Sequence, residues 1–142
     1  MANAVYPTGK SAILKGDVDF LVDTIKVALV STTSDPTTNY TYSAAHDFLD
    51  DIAAGAIVSA GVTIGTPAVD TVGGFSGADV VYAAVASPGD GQTGQALIIY
   101  KDTGVAATSQ LIGYIDTATG LPVTPNGDDI TVSWAGNVLT LA

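Results

Sequence analysis

The clearest pattern in the chain is Thr24-Ile25-Lys26-Val27-Ala28-Leu29-Val30, where Ile25, Val27 and Leu29 share one side and Lys26 is the only charge. Successive side chains of an extended strand point to opposite faces, so this spacing predicts a strand with an apolar face. Ala96-Leu97-Ile98-Ile99-Tyr100 shows no polar alternation. It therefore predicts a strand in the middle of a sheet, buried on both sides. Leu111 to Ile115 reads as another strand, as does Ala78 to Ala86. Ala56-Ile57-Val58-Ser59-Ala60 with Val62-Thr63-Ile64 reads as one more, bulged at Gly61. Val18 and Phe20 alternate with Asp17 and Asp19. Near the end, Asn126-Gly127 marks a turn before Ile130-Thr131-Val132-Ser133-Trp134. Gly136-Asn137 then leads into Val138-Leu139-Thr140-Leu141, and these last two runs are expected to form a terminal hairpin.

Helical periodicity is scarce. Thr8 to Lys15 accommodates one or two helical turns closed by Gly16 as C-cap. Ser43 is placed to cap a short helix over residues 44–54, with Phe48, Leu49 and Ile52 as its apolar stripe and Gly55 as its stop. Residues 31–42 form a polar loop, and Pro88-Gly89-Asp90-Gly91 a turn or exposed tip. Short strands spaced by Gly, Pro and Asp turns predict a mainly β, antiparallel fold: a β-sandwich or a partly closed barrel, jelly-roll-like among the options, with one short helix near residues 43–54. The 142 residues fit a single domain. Residues 1–16 are expected to be a docking arm or a short N-terminal helix.

Composition narrows the function more than the fold. Cysteine is absent, which excludes disulfides and thiolate metal sites. All 14 acidic residues are aspartate and all four basic residues are lysine, for a net charge of -10. Aspartate favours turns and caps, so the charge is expected between strands. Lys10, Lys15, Lys26 and Lys101 are too few and too scattered to displace the counterions of a nucleic acid, so direct DNA or RNA binding is not expected. No apolar run approaches a membrane span, and Met1 to Pro7 lacks the basic and apolar regions of a signal peptide. The chain is expected to be made, and to be soluble, in a cytoplasm.

Candidate chemistry is thin. His46, the only histidine, has the side chain of a general base, but no nucleophile motif accompanies it, so a helix-surface or packed histidine is the expectation. Asp47, Asp50 and Asp51 cluster, and Asn126-Gly127-Asp128-Asp129 superficially resembles a calcium loop. It lacks the regular oxygen spacing and the distal bidentate acid, and solvated turn carboxylates are expected instead. Gly73-Gly74-Phe75-Ser76-Gly77 has no lysine at phosphate-loop spacing. Asn39-Tyr40-Thr41 matches a glycosylation pattern without a secretory context. No catalytic residue, metal ligand or cofactor is expected. Tyr40 and Tyr42 are equally suited to contact and to core, whereas Tyr82, Tyr100 and Tyr114 are expected in the core.

Four landmarks in order carry a resemblance: Asp23-Thr24-Ile25-Lys26-Val27-Ala28-Leu29-Val30, then Asn39-Tyr40-Thr41-Tyr42-Ser43-Ala44-Ala45-His46-Asp47-Phe48-Leu49-Asp50-Asp51-Ile52, then Ile99-Tyr100-Lys101-Asp102-Thr103-Gly104, and Leu111-Ile112-Gly113-Tyr114-Ile115-Asp116. Together they resemble small structural proteins of tailed-bacteriophage virions. The resemblance implies a capsid decoration (cement) protein on the head surface, bound to the major capsid protein, and transfers no catalytic residues. A homo-oligomer is expected, a trimer first, because threefold positions recur on capsids. Residues 31–38 and 87–94 look longer than that family would have, and are expected to be exposed or in contact. The docking surface is expected in Tyr6 to Lys15, with Tyr6, Lys10, Lys15, Tyr40 and Tyr42 as protein-contact candidates. A tail, neck or fibre-associated protein is the alternative within virions. A carbohydrate- or host-surface-binding sandwich is the alternative outside that family.

Overall fold

The runs richest in Val, Ile, Leu and Tyr become the ladders, as expected of residues that pack well on a pleated surface. The computed structural model describes residues 3–88, 90–134 and 136–141. Its elements are β1 (Ala4–Val5), α1 (Pro7–Lys15), β2 (Ile25–Val30), β3 (Ile57–Thr63), β4 (Ala68–Val69), β5 (Gly74–Ser76), β6 (Val80–Tyr82), β7 (Ala96–Lys101), β8 (Leu111–Ile115), β9 (Ile130–Val132) and β10 (Leu139–Thr140). Every strand pairing is antiparallel. The central sheet runs β1-β8-β7-β2-β3; β10-β5-β4 form a second sheet and β6-β9 a separate pair. The result is a mainly β architecture compatible with a sandwich, and its open sheets do not close into a barrel.

Side-chain alternation splits the core in two. Ile25, Val27 and Leu29 of β2, with Leu97 and Ile99 of β7, pack toward Phe75, Val80, Tyr82, Val132 and Leu139 of the smaller sheets. The alternate positions Ala28, Val30, Ala96, Ile98 and Tyr100 face the other way, against Tyr6, Tyr40, Ile52 and Ala56. β7 is thus buried on both faces, as its unbroken apolar run predicts. Burying each Leu or Ile of this strand contributes roughly 1.5–3 kcal/mol.

Local irregularities follow from particular residues. Opposite Ala28, β3 carries two residues, because Val27 pairs with Val62 while Leu29 pairs with Ser59. This is a bulge at Ala60-Gly61, where expected. Gly61 is needed there for a second reason: a β-carbon would sit 2.0 Å from the Tyr100 hydroxyl. α1 begins with Pro7 and ends at Gly16, whose φ of 82° places it in the left-handed region that lets its N–H reach Ile13.

Several expectations are corrected. Residues 44–54 form no α-helix; Leu49–Asp51 and Ala54–Ala56 are single 3-10 turns. The segment touches the sheet through a single antiparallel bridge, Phe48 to Gln110, where Leu49 N–H donates to Ser109 O and Leu111 N–H to Asp47 O. Isolated helices this short are marginal, so such tertiary hydrogen bonds decide the conformation. Ser43 Oγ accepts from Ala45 N–H at 3.2 Å and caps only a local turn. The helix of the fold is α1. The terminal hairpin is also absent: β9 pairs with β6 and β10 with β5. The alternation of Val18 and Phe20 with Asp17 and Asp19 leads into a turn, which Asp19 closes by accepting from Leu21 N–H and, through its carbonyl, from Asp23 N–H. Only Val80–Tyr82 of the run 78–86 is extended. Among the described residues no helix is long and apolar enough to cross a membrane.

Candidate functional site

The densest set of reactive side chains sits where the N-terminal segment meets the cover over the second sheet face. β1 pairs with β8, which carries Tyr6 under residues 40–46. The Tyr6 hydroxyl lies 2.6 Å from that of Tyr40, and the Tyr40 hydroxyl lies 2.9 Å from His46 Nδ1. Around this chain Tyr42 stacks at 5.0 Å from Tyr6 and 5.5 Å from Tyr114. Thr8 Oγ1 donates to the His46 carbonyl, tying α1 to the same turn.

The electrostatics keep the phenols neutral. Burial, reinforced by the Tyr40 hydrogen bond and charge, drives the Tyr6 hydroxyl far above the ordinary tyrosine value. Burial likewise pushes Tyr40 up to about 12. A phenol held this way is a poor nucleophile and a poor base at neutral pH. The arrangement clamps three segments together: Tyr6 from the N-terminus, Tyr40 to His46 from the cover, and Tyr114 from β8.

This geometry corrects part of the expected contact surface. Tyr6 is 0% exposed and Tyr40 only 4%, so neither side chain is available to a partner. Residues 4–15 are not a loose arm, because the strand pairing and the close seat of Gly9 on β8 order them within the fold. Tyr42 is half-buried against its two aromatic neighbours. Lys10 and Lys15 stand exposed on the outer face of α1, and neither has a hydrogen bond or ion pair among the described residues. The other two lysines are committed: Lys26 to Asp102 at 2.7 Å and Lys101 to Asp23 at 3.2 Å.

The two long loops lace to each other. Gln92 Nε2 donates to Asp35 Oδ2 and to Gly55 O, and Gln95 Oε1 accepts from the N–H groups of Thr32 and Thr33. Ser34 Oγ accepts from Thr93 N–H. Backbone N–H groups of Thr38 and Thr37 hold the Asp35 carboxyl below the usual carboxylate range. Pro88, Asp90 and Gly91 are exposed as expected of a tip, while Gly89 lies outside the described residues.

The remaining candidates are turn carboxylates. Asp51 accepts from Asp47 N–H, the leading cause of its lowered pKa, and Asp129 accepts from Ala84 N–H. Asp70 organises the glycine-rich turn by accepting from Gly74 and Val72 N–H. No group of three or more acids and histidines among the described residues is arranged to hold a metal ion. A cleft of about 440 Å³ lies beside Asn3, Thr117, Ser133, Trp134 and Asn137. Three of its donors are already engaged: the Trp134 indole donates to Ala78 O, Asn137 Nδ2 to Asp70, and Asn3 Nδ2 to Thr117.

One feature escaped the sequence reading. Ile13, Phe20, Phe75 and Leu139 line an apolar groove between α1 and the β4–β5 hairpin. Its only trace in the sequence is Phe20-Leu21-Val22, three consecutive large apolar residues in a turn, which cannot all point inward. Comparison of the chain with protein-family models and with curated proteins finds no match in either.

Proposed function

We propose that this chain is a structural virion protein of a tailed bacteriophage, and within that class a decoration protein that binds the major capsid protein and stabilises the head shell. The observation that carries the reading is where its four sequence landmarks lie. They are scattered from residue 23 to residue 116, yet β2, the end of β7 and β8 are neighbouring strands of one sheet, and residues 39–52 are the cover on that sheet. The resemblance therefore falls on one contiguous structural body, as expected when a scaffold is what a family shares.

The chemistry of the chain favours a scaffold as well. Buried Tyr6 and Tyr40 bond to each other and Tyr40 to His46, Tyr82 donates to Val27 O, and the buried Asp35 carboxylate accepts from Gln92 and from the Thr37 N–H. A carbohydrate platform at Tyr40 and Tyr42 is disfavoured because the first is buried and the second is stacked inside the aromatic cluster. A net charge of -10 keeps decorated particles apart and does not attract the packaged genome.

The test is mass spectrometry and cryo-EM of purified particles of the phage that encodes the chain. The expected result is many copies on the head surface in symmetric positions. Labelling confined to the tail would replace the decoration role with a tail role, and absence from particles would overturn the virion assignment.

A further inference from the structure

The turn before β9 carries a pair of residues that can react with each other. Of the four asparagines, at positions 3, 39, 126 and 137, only Asn126 precedes a glycine. An asparagine loses its amide when the backbone nitrogen of the next residue attacks its side-chain carbon, an intramolecular step whose rate depends on the two groups meeting. A β-carbon on the next residue crowds that nitrogen, and glycine has none.

Both the leaving group and the attacking nitrogen set Asn126 apart from the other three. Asn3 Nδ2 donates to Thr117 Oγ1, Asn39 Nδ2 to Asp35 O and Asn137 Nδ2 to Asp70 Oδ2, whereas no described residue accepts from Asn126 Nδ2. Asn126 Oδ1 accepts from Asp128 N–H at 3.0 Å, which folds the side chain back over the turn and polarises the carbon to be attacked. The nitrogens that would attack the other three are embedded: Ala4 lies in β1, Tyr40 N–H donates to Ser31 O, and Val138 N–H donates to Phe75 O behind a buried side chain. Asn126 and Gly127 are exposed, and Gly127, at a φ of 96°, has open space where a β-carbon would stand. Its N–H donates to Val85 O at 2.8 Å, so attack waits for that bond to open. A hydrogen bond at an exposed turn opens at small cost.

We propose that Asn126-Gly127 is a self-modification site, where the chain converts Asn126 to a mixture of aspartate and isoaspartate and thereby loosens the corner that joins β9 to β6. The Gly127 nitrogen gives its proton to solvent and bonds to Asn126 Cγ; the Cγ–Nδ2 bond breaks and ammonia leaves, closing a cyclic imide. Water then opens the ring at either carbonyl, so the whole conversion takes up one water and releases one ammonia. Opening at Cγ gives aspartate. Opening at the main-chain carbonyl gives isoaspartate, whose backbone runs through the side chain and is one carbon longer. That carbon enters where the turn is tied to the segment after β6, by Gly127 N–H to Val85 O, Val85 N–H to Asp128 O and Ala84 N–H to Asp129 Oδ1. Beyond these bonds only three residue pairs, from Val80–Val132 to Tyr82–Ile130, hold the two strands together, so a shifted turn has little ladder to absorb it. This inference does not depend on the virion reading, because it rests on the chemistry of one turn.

The test is to age the full chain at neutral pH, quantify aspartate and isoaspartate at each asparagine by mass-spectrometric peptide mapping, and melt the aged and fresh protein side by side. Conversion at Asn126 is expected to run at least about tenfold faster than at Asn3, Asn39 or Asn137, with isoaspartate among the products and a lower melting temperature after ageing. Asn126→Gln, whose attack would need a larger ring, is expected to stay intact and to keep its melting temperature over the same period. Fresh Asn126→Asp supplies the new charge without the longer backbone and is expected to melt close to the unaged parent. Conversion no faster at Asn126 than at the other three overturns the proposal, as does an aged chain that melts like the fresh one. An Asn126→Gln variant that loses the same stability on ageing also overturns it, and so does a fresh Asn126→Asp variant that melts as low as the aged chain, which would give the loss to charge and not to the backbone.

Discussion

Replacing Gly9 with alanine sets two well-understood effects against each other. Gly9 lies on the inner side of α1 where the helix crosses β8. A β-carbon there would lie 2.6 Å from the Leu111 carbonyl oxygen, 3.0 Å from Ile112 Cα and 3.3 Å from the Ile112 oxygen. These are backbone atoms of a strand paired on both sides, by β1 and β7, so no rotamer change relieves the contact. The helix has to lift, which stretches the 2.8 Å hydrogen bond from Tyr6 N–H to Ile112 O and loosens the packing of Tyr6 and Ala12. Overpacking of this kind costs about 1–3 kcal/mol. Helix propensity acts in the opposite direction, because alanine is favoured over glycine by about 1 kcal/mol inside a helix. The contact wins, and a net loss of up to about 2 kcal/mol is expected. Ser11→Ala, on the exposed side of the same helix, feels propensity alone and is expected to stabilise by about 0.5 kcal/mol. Urea unfolding followed by Trp134 fluorescence compares the two at equal m-value. In a thermal scan the Gly9 variant should melt up to roughly 7 °C lower. If Gly9→Ala proves as stabilising as Ser11→Ala, then α1 is not seated on β8, and residues 4–15 are a free arm after all.

Three further outcomes are expected. Tyr40→Phe leaves the buried Tyr6 hydroxyl and His46 Nδ1 without their shared partner and should cost about 1–3 kcal/mol in denaturant unfolding; adding Tyr6→Phe should cost less than the two single losses summed, since the second hydroxyl then has nothing to lose. Gly61→Ala should destabilise by about 1–3 kcal/mol through its clash with Tyr100, and Tyr100→Phe in that background should recover part of the loss by removing the nearest atom. The Asp35, Asp51 and Asp70 carboxyls all sit below their ordinary value of 3.8 because backbone N–H groups bond the ionised form; a depressed folded pKa gives stability that is present above the unfolded value and disappears as pH falls through the folded one. Melting temperature should therefore hold from neutrality to about pH 5 and drop below about pH 4, and Asp35→Asn should show a shallower acid limb.

Periodicity is a property of neighbouring residues, and what depends on it was legible in the chain. The alternation in β2, the unbroken apolar run of β7, the strand at 111–115, the bulge at Gly61 and the Gly16 cap all follow from local sterics and the two-residue period of a strand. Pairing was not legible. Nothing in 130–141 says that β9 and β10 should part to join β6 and β5, since alternation states which face is apolar and not which strand lies beside it. Residues 44–54 show the same limit: their propensity for a helix is worth only tenths of a kcal/mol per residue, and the hydrogen bonds to Ser109 and from Leu111 outweigh it. Tertiary packing also decided which tyrosines vanish into the core. It placed Ile13, Phe20, Phe75 and Leu139, far apart along the chain, around a single groove that exists only once α1 and the hairpin have met.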